Sequence, residues 1–357
     1  MSFQRISIKD FRAIASLEID NIKQVNLLTG RNNCGKTSVL EAIFLLVGMS
    51  YPQLAVSIQN FRGLTLTDNQ DFSYLFNGLD FSKTPAMTGK LKSQERTLAI
   101  KAIYPMPMNI LEQLPGRHEP TGNKPISGTT TTEDTPDGLA FDFGVDGKSF
   151  HAEVKIAPGN QLNTQSAQNY RETLRVLLIN PAIIMGGLHQ RLEAVLVRKE
   201  SRGIIDALRE IEPNLRNIIL GTGEKIFVDI NEAERLVPIN IMGDGIIKIL
   251  AILVAILETK DGVLLIDEIE NGLHYTALVP LWKAIFKMAR ESNVQLFIAT
   301  HSYECISAMT EVYRESGMGK DFISLFRIDR DADGQHRARQ YQADTLLAGI
   351  EKAFEVR

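Results

Sequence analysis

An α/β fold with a largely parallel core sheet is what three features of this 357-residue sequence predict. Short apolar runs at 25–29, 263–266 and 295–300 alternate with helix-forming stretches at 37–46, 246–257 and 275–291. Strands covered on both faces read as continuous apolar runs, and such strands pair in parallel inside α/β proteins. A glycine-rich turn at 30–37 joins the first run directly to its helix, so strand, loop and helix follow one another without a break.

Residues 3–8 and 15–19 alternate apolar and polar side chains, the period of two that marks a half-buried strand. The stretch 37–46 is apolar on most sides and rich in helix formers, as a buried helix requires. From about 50 to 160, short alternating segments such as 97–104 and 149–156 are broken by polar stretches, so this part is expected to be β-rich. Within it, 105–137 is proline-rich and contains Thr129-Thr130-Thr131-Thr132. That is too little apolar surface to offset the entropy of ordering, and it reads as a mobile loop. Val145-Asp146-Gly147-Lys148 predicts a hairpin whose two central residues take positive φ. Residues 170–210 carry helical spacing, with Leu188, Leu192, Val195 and Leu196 and then Ile204, Ile205 and Leu208. Strands are expected again at 225–230 and 236–239. These assignments divide the chain into a core of 1–48 and 236–357 and an insertion of 49–235, β-rich to about 160 and helical beyond.

Composition narrows the function classes. With 44% apolar and 23% charged residues the chain has the makings of a full globular core. A net charge of -4 gives no overall field to hold it on nucleic acid or an anionic membrane, so any such contact needs a local basic patch. Two distant cysteines, Cys34 and Cys305, form no CxxC pair and fit a reduced, cytoplasmic setting. No run of 18 apolar residues is present to span a bilayer, and the first residues lack a signal peptide's apolar stretch.

Three motifs carry chemistry. Gly30-Arg31-Asn32-Asn33-Cys34-Gly35-Lys36-Thr37 fits GxxxxGK[ST], with a strand before it and a helix after it. In such a P-loop the glycines let backbone N–H groups turn inward around phosphates. Gly30, Asn32, Asn33, Cys34, Gly35 and Ser38 would wrap the nucleotide. Lys36 would reach the terminal phosphates, and the Thr37 hydroxyl would ligate magnesium. The bland alternative is a glycine turn that binds nothing. Asp267-Glu268, at the end of the apolar run 263–266, would supply a magnesium-supporting aspartate and a glutamate that orients the attacking water. Without a P-loop, the same pair would be read as a solvated turn or a helix N-terminus. His301, after the run 295–300, sits where a γ-phosphate sensor belongs, although a lone histidine is more often structural. Asp329-Arg330-Asp331-Ala332-Asp333-Gly334 opens like a calcium loop, but Gln340 stands where a bidentate glutamate is required, which favours a hairpin turn.

Asp10-Phe11-Arg12, the P-loop, Met242-Gly243-Asp244-Gly245, Ile266-Asp267-Glu268-Ile269-Glu270-Asn271-Gly272-Leu273-His274 and Ala299-Thr300-His301-Ser302 together resemble ABC-type ATPases of the SMC, RecF and OLD group. The likeness covers about 1–48 and 236–330 and is nearest to the ATPase half of OLD-family proteins. It implies a P-loop NTPase with an ABC-ATPase-like sheet core that hydrolyses ATP with Mg2+. It further implies a head-to-tail homodimer in which each P-loop faces the partner copy's Gly243-Asp244-Gly245, with Lys248 nearby; a higher oligomer is compatible with it. Asn271 to His274 would form the D-loop, His301 the switch histidine, and Arg12 a nucleotide contact. Gln53, Gln59 and Gln70 all fall in range for the Q-loop glutamine. OLD nucleases continue into a Toprim domain that this chain does not reach, so the resemblance implies a separate effector, with nucleic acid open as a partner and phage defence or DNA repair as the setting. A transporter's nucleotide-binding subunit is disfavoured by the Gly-Asp-Gly sequence and the long insertion. A nuclease using Asp329, Asp331 or Asp333 is the third alternative.

Overall fold

The computed structural model describes residues 2–91, 93–105, 135–157, 161–331 and 333–351. A six-stranded sheet holds the centre. Its strands are β3 (Val25–Thr29), β9 (Val176–Ile179), β13 (Val263–Ile266), β14 (Gln295–Ala299), β15 (Ile323–Arg330) and β16 (His336–Gln342), in the order β16-β15-β3-β14-β13-β9. Only β16, at one edge, runs antiparallel to its neighbour. The alternation of side chains explains the continuous apolar runs. Leu264 and Ile266 of β13 and Leu296 and Ile298 of β14 enter one hydrophobic cluster, while Val263, Leu265, Phe297 and Ala299 enter another on the opposite face.

The second layer is an antiparallel sheet ordered β2-β1-β4-β5-β6-β7-β8. It comprises β1 (Phe3–Phe11), β2 (Ile14–Asp20), β4 (Ala86–Leu91), β5 (Gln94–Ile103), β6 (Gly138–Val145), β7 (Lys148–Ala157) and β8 (Gln161–Gln165). Between the two sheets runs α1 (Lys36–Val47), which touches β1, β4 and β5 on one side and β9, β13 and β14 on the other. A helix apolar on most sides is stable only when enclosed in this way. The hairpin expected at 145–148 is present, with Asp146 at φ 50° and Gly147 at φ 77°.

The opposite face of the core sheet is covered by α5 (Asp244–Glu258), α6 (Leu278–Glu291) and α7 (Tyr303–Ser316), with α8 (Ala343–Glu351) packed on α7, β15 and β16. Against α5 sits a small lobe. It contains α3 (Leu188–Val197), α4 (Arg202–Arg209) and a three-stranded sheet of β10 (Leu215–Leu220), β11 (Ile226–Ile230) and β12 (Val237–Pro238). A short helix, α2 (Leu54–Asn60), follows α1.

Two expectations need correction. Helical spacing was expected over 170–210, yet helices occupy only 188–197 and 202–209, and 176–179 is the edge strand of the core sheet. Consequently the stretch 49–235 is not a separate body: it contributes β9 to the central sheet and β4 to β8 to the sheet that β1 and β2 begin. β10 was also missed. Most of the loop expected at 105–137 lies outside the described residues.

Candidate nucleotide-binding and catalytic site

β3 delivers the chain into the P-loop, and α1 leaves it. Gly35 caps α1 in the left-handed region (φ 94°) without any side-chain hydrogen bond, and no acidic residue occupies the first turn. The N–H groups that open a helix have no partner within it, so here they stay available to an anion. Gly30 takes φ 135°, and a Cβ there would collide with the Ile328 carbonyl oxygen of β15. Gly30→Ala is therefore expected to destabilise the protein by at least about 1–3 kcal/mol from backbone strain. It should also weaken nucleotide binding; an unshifted urea midpoint would refute the close approach.

Residues from four of the segments read above converge on one cleft of about 460 Å3. Asn33, Gly35, Lys36, Thr37 and Ser38 form its floor, Asp267 and Glu268 come from the end of β13, His301 from the end of β14, and Arg12 from the β1–β2 turn. Lys36 Nζ donates to the Gly30 and Arg31 carbonyl oxygens, both at 3.0 Å, and lies 3.7 Å from Cys34 Sγ. Thr37 Oγ1 donates to Asp267 Oδ2 at 2.8 Å. Burial, followed by repulsion from Glu268 and Glu41, holds the Asp267 carboxyl above its ordinary range, opposed by the Thr37 hydrogen bond and the Lys36 charge. Both are oxygen donors of the kind a magnesium ion takes.

Glu268 and Arg12 both stand at φ 50°. Non-glycine residues in that region cost about 1–3 kcal/mol and cluster at functional sites. Glu268 is exposed to the cleft and accepts from Asn271 Nδ2 at 3.2 Å. His301 is held through its backbone: its N–H donates to Glu270 Oε1 (2.8 Å), while Thr300 Oγ1 donates to Glu270 Oε2 (2.8 Å). Glu270 thus ties the loop after β13 to the loop after β14, a role that sequence reasoning had not assigned.

Arg12 is buried on the cleft wall. Its guanidinium pairs with Glu41 Oε2 at 2.8 Å and donates to Gln59 Oε1 at 3.2 Å. Burial lowers the Arg12 pKa to about 10, against the attraction of Glu41. Of the three glutamines in range, Gln59 is the one fully buried beside Arg12, whereas Gln53 and Gln70 are exposed. Arg62 was not anticipated either. It lines the cleft and grips Glu41 with two hydrogen bonds, of 2.7 and 2.9 Å. Burial works against its charge, but the bonds and attraction to Glu41 and the field of Asp267 leave its pKa raised. Glu41 and Arg62 lie 21 positions apart, and neither belongs to a motif.

The segment Gly243-Asp244-Gly245 is not brought to this cleft. It starts α5, where Gly243 and Asp244 are exposed and a Cβ on Gly243 would meet nothing within 4 Å. Lys248 is tied within its own chain to Asn271, through the carbonyl oxygen at 2.8 Å and Oδ1 at 3.1 Å. The aspartates of the 329–334 turn are also elsewhere: Asp329 and Asp331 pair with Arg327, Arg337 and Arg339. Among the described residues no group of three His, Cys, Asp or Glu side chains is placed to hold a metal ion.

Comparison with known proteins agrees with this geometry. Residues 1–182 match the family model described as "AAA ATPase domain", and residues 176–307 match "AAA domain, putative AbiEii toxin, Type IV TA system". The chain is similar to an "ATP/GTP phosphatase" of Helicobacter pylori, 25% identical over 373 residues, covering 96% of each chain. It is 52% identical to the DNA replication and repair protein RecF of Shewanella denitrificans over 52 residues, 14% of either chain. Among solved structures, an SMC head bound to the C-terminal winged-helix domain of ScpA has a TM-score of 0.50 and 14% identity over 99% of each chain, a likeness of fold. Since one model matches 182 of 357 residues, just over half, the chain belongs to the AAA ATPase domain family and is a P-loop ATPase.

Proposed function

We propose that this ATPase works as an ATP-switched, head-to-tail homodimer in which ATP closes two copies on each other and hydrolysis releases them. One observation carries this reading. The cleft gathers Lys36, Thr37, Asp267, Glu268 and His301, while the exposed Gly243-Asp244-Gly245 turn is absent from it. A second copy supplies that turn to complete the site. In this reading Lys36 and the N–H groups at the start of α1 hold the phosphates, Glu268 orients the attacking water, and His301 senses the terminal phosphate. Thr37 and Asp267 would hold Mg2+, which neutralises phosphate charge when bound.

The tightly tethered lobe of α3, α4 and β10 to β12, packed on α5, is the part of 49–235 that we treat as the reader of the switch, passing it to a separate effector protein or nucleic acid. The OLD-like Gly-Asp-Gly sequence and the partial RecF likeness support a cytoplasmic role in phage defence or DNA repair. No described helix is long and apolar enough to cross a membrane.

The test is molar mass by light scattering on Glu268→Gln, with and without ATP and magnesium, and again with a short DNA duplex. ATP should convert monomer to dimer, and added mass with DNA would place nucleic acid among the partners. Asp244→Lys should bind nucleotide as a monomer and fail to close. Normal ATP-driven dimerisation of Asp244→Lys would sink the trans contact.

A further inference from the structure

Next to the nucleotide cleft, with Asn33 in the wall of both, lies a second one of about 550 Å3. Its walls are the P-loop shoulder, residues 31–34, and the turn end of the β15–β16 hairpin. β15 and β3 are parallel neighbours, and both end here. The carboxyl ends of parallel strands are where open α/β sheets place their ligands.

The cleft is lined by five arginines, Arg31, Arg327, Arg330, Arg337 and Arg339, against two aspartates, Asp329 and Asp331. Five positive less two negative charges give +3, in a chain whose net charge is -4. The hairpin register sets Arg327 directly opposite Arg339 and Asp329 opposite Arg337. Like charges directly opposite each other destabilise a sheet. Asp329 relieves part of that repulsion, reaching Arg327 Nε at 3.0 Å and Arg339 Nε at 3.5 Å, and Asp331 lies 3.6 Å from Arg337 Nη2. Each pairing engages one nitrogen of a group with five N–H donors, so most donors remain for a ligand. Arg31 and Arg330 have no carboxylate partner among the described residues. Such a surplus of planar, forked cations is costly to assemble and suits phosphate oxygens, which accept two parallel bonds from each guanidinium. The lining contains no aromatic side chain on which a base could stack.

We propose that this cleft is a second phosphate-binding site, distinct from the nucleotide pocket, for an anion carrying several neighbouring phosphates. That chemistry has two sources, a free polyphosphate or a nucleic-acid backbone, and they are told apart by which probe binds. The inference does not depend on the ATP-switched dimer, because none of the five arginines lines the nucleotide cleft.

The experiment uses the full chain with Lys36→Ala, so that the nucleotide pocket does not dominate. Binding of inorganic tripolyphosphate is followed by calorimetry, and binding of a labelled 20-base-pair duplex by anisotropy across a salt series. Arg337→Ala with Arg339→Ala is then added; these side chains are 73% and 69% exposed, so the fold should survive, as a melting curve checks. Lys101→Ala, 56% exposed on the antiparallel sheet, is the control. The double arginine variant should bind at least about tenfold more weakly, and with the duplex its salt slope should fall by about two, one per lost phosphate contact. The control should match its parent. Tripolyphosphate binding alone assigns a free polyphosphate, and duplex binding assigns a backbone. Failure of both probes to bind the Lys36→Ala protein, or equal binding with and without the two arginines, overturns the proposal.

Discussion

Glu268→Gln is expected to lower ATP turnover by about 10²- to 10⁴-fold while leaving ATP affinity nearly unchanged. The side chain is exposed at the mouth of the cleft, held by one hydrogen bond from Asn271, and its backbone is in the left-handed region. A glutamine keeps that hydrogen bond and the shape of the loop. In the proposed role it removes the negative charge that would draw a proton from water. The Thr37–Asp267 pair and the Lys36 contacts with the loop are separate from Glu268, so binding should survive. Single-turnover hydrolysis, measured beside fluorescent-nucleotide affinity, separates the two quantities. Turnover within about threefold of the parent would move the base elsewhere. A parallel loss of affinity would instead mean that the carboxylate holds the loop in shape.

Much of this site was legible because its parts lie close to their own motif. The P-loop has a fixed spacing and an unmistakable pair of flanks, β3 and α1, and both were placed within a residue of their observed ends. Asp267 and Glu268 could be read because β13 is four consecutive apolar residues that stop at two acids. β9 has the same four residues in the same order, Val176-Leu177-Leu178-Ile179, yet it falls within the helical spacing expected over 170–210. Four apolar residues carry too little periodicity to separate strand from helix, and no motif follows β9 to arbitrate.

The residues that sequence reasoning missed act over distance. Glu270 makes its bonds 30 and 31 positions away, and Glu41 pairs with Arg12 and Arg62 on either side of it. Inside α1, Glu41 sits among the residues of a helix read as apolar on most sides, and its partners are brought to it by the β1–β2 turn and by the chain after α2. Such pairs are set by tertiary packing. The sequence signals only an acidic residue in an unexpected place, and that anomaly was the available clue.

That anomaly leads to the largest expected effect on stability. Glu41→Ala should destabilise the protein by about 3–5 kcal/mol, because removing one member of a buried ion pair strands its partner's charge. The Glu41 side chain is 1% exposed and Arg12 8% exposed, so Arg12 has little solvent to fall back on. Arg62, at 36% exposed, can turn toward water and should contribute only a minor share. Burial already lowers Arg12 to about 10 with Glu41 beside it, so without the carboxylate its charged form loses its main support. Arg5→Ala supplies the comparison: Arg5 is 53% exposed and pairs with Glu18 and Asp20 at the surface, where a salt bridge contributes about 0–1 kcal/mol. Urea titrations of the three proteins should show a large midpoint shift for Glu41→Ala and almost none for Arg5→Ala. The same substitution should also disturb the cleft, since Glu41 aims Arg12 and Arg62 at it. Adding Arg12→Leu to Glu41→Ala should recover part of the lost stability, because the stranded charge is gone. No recovery in that double variant would mean that packing around α1, rather than charge, is what Glu41 provides.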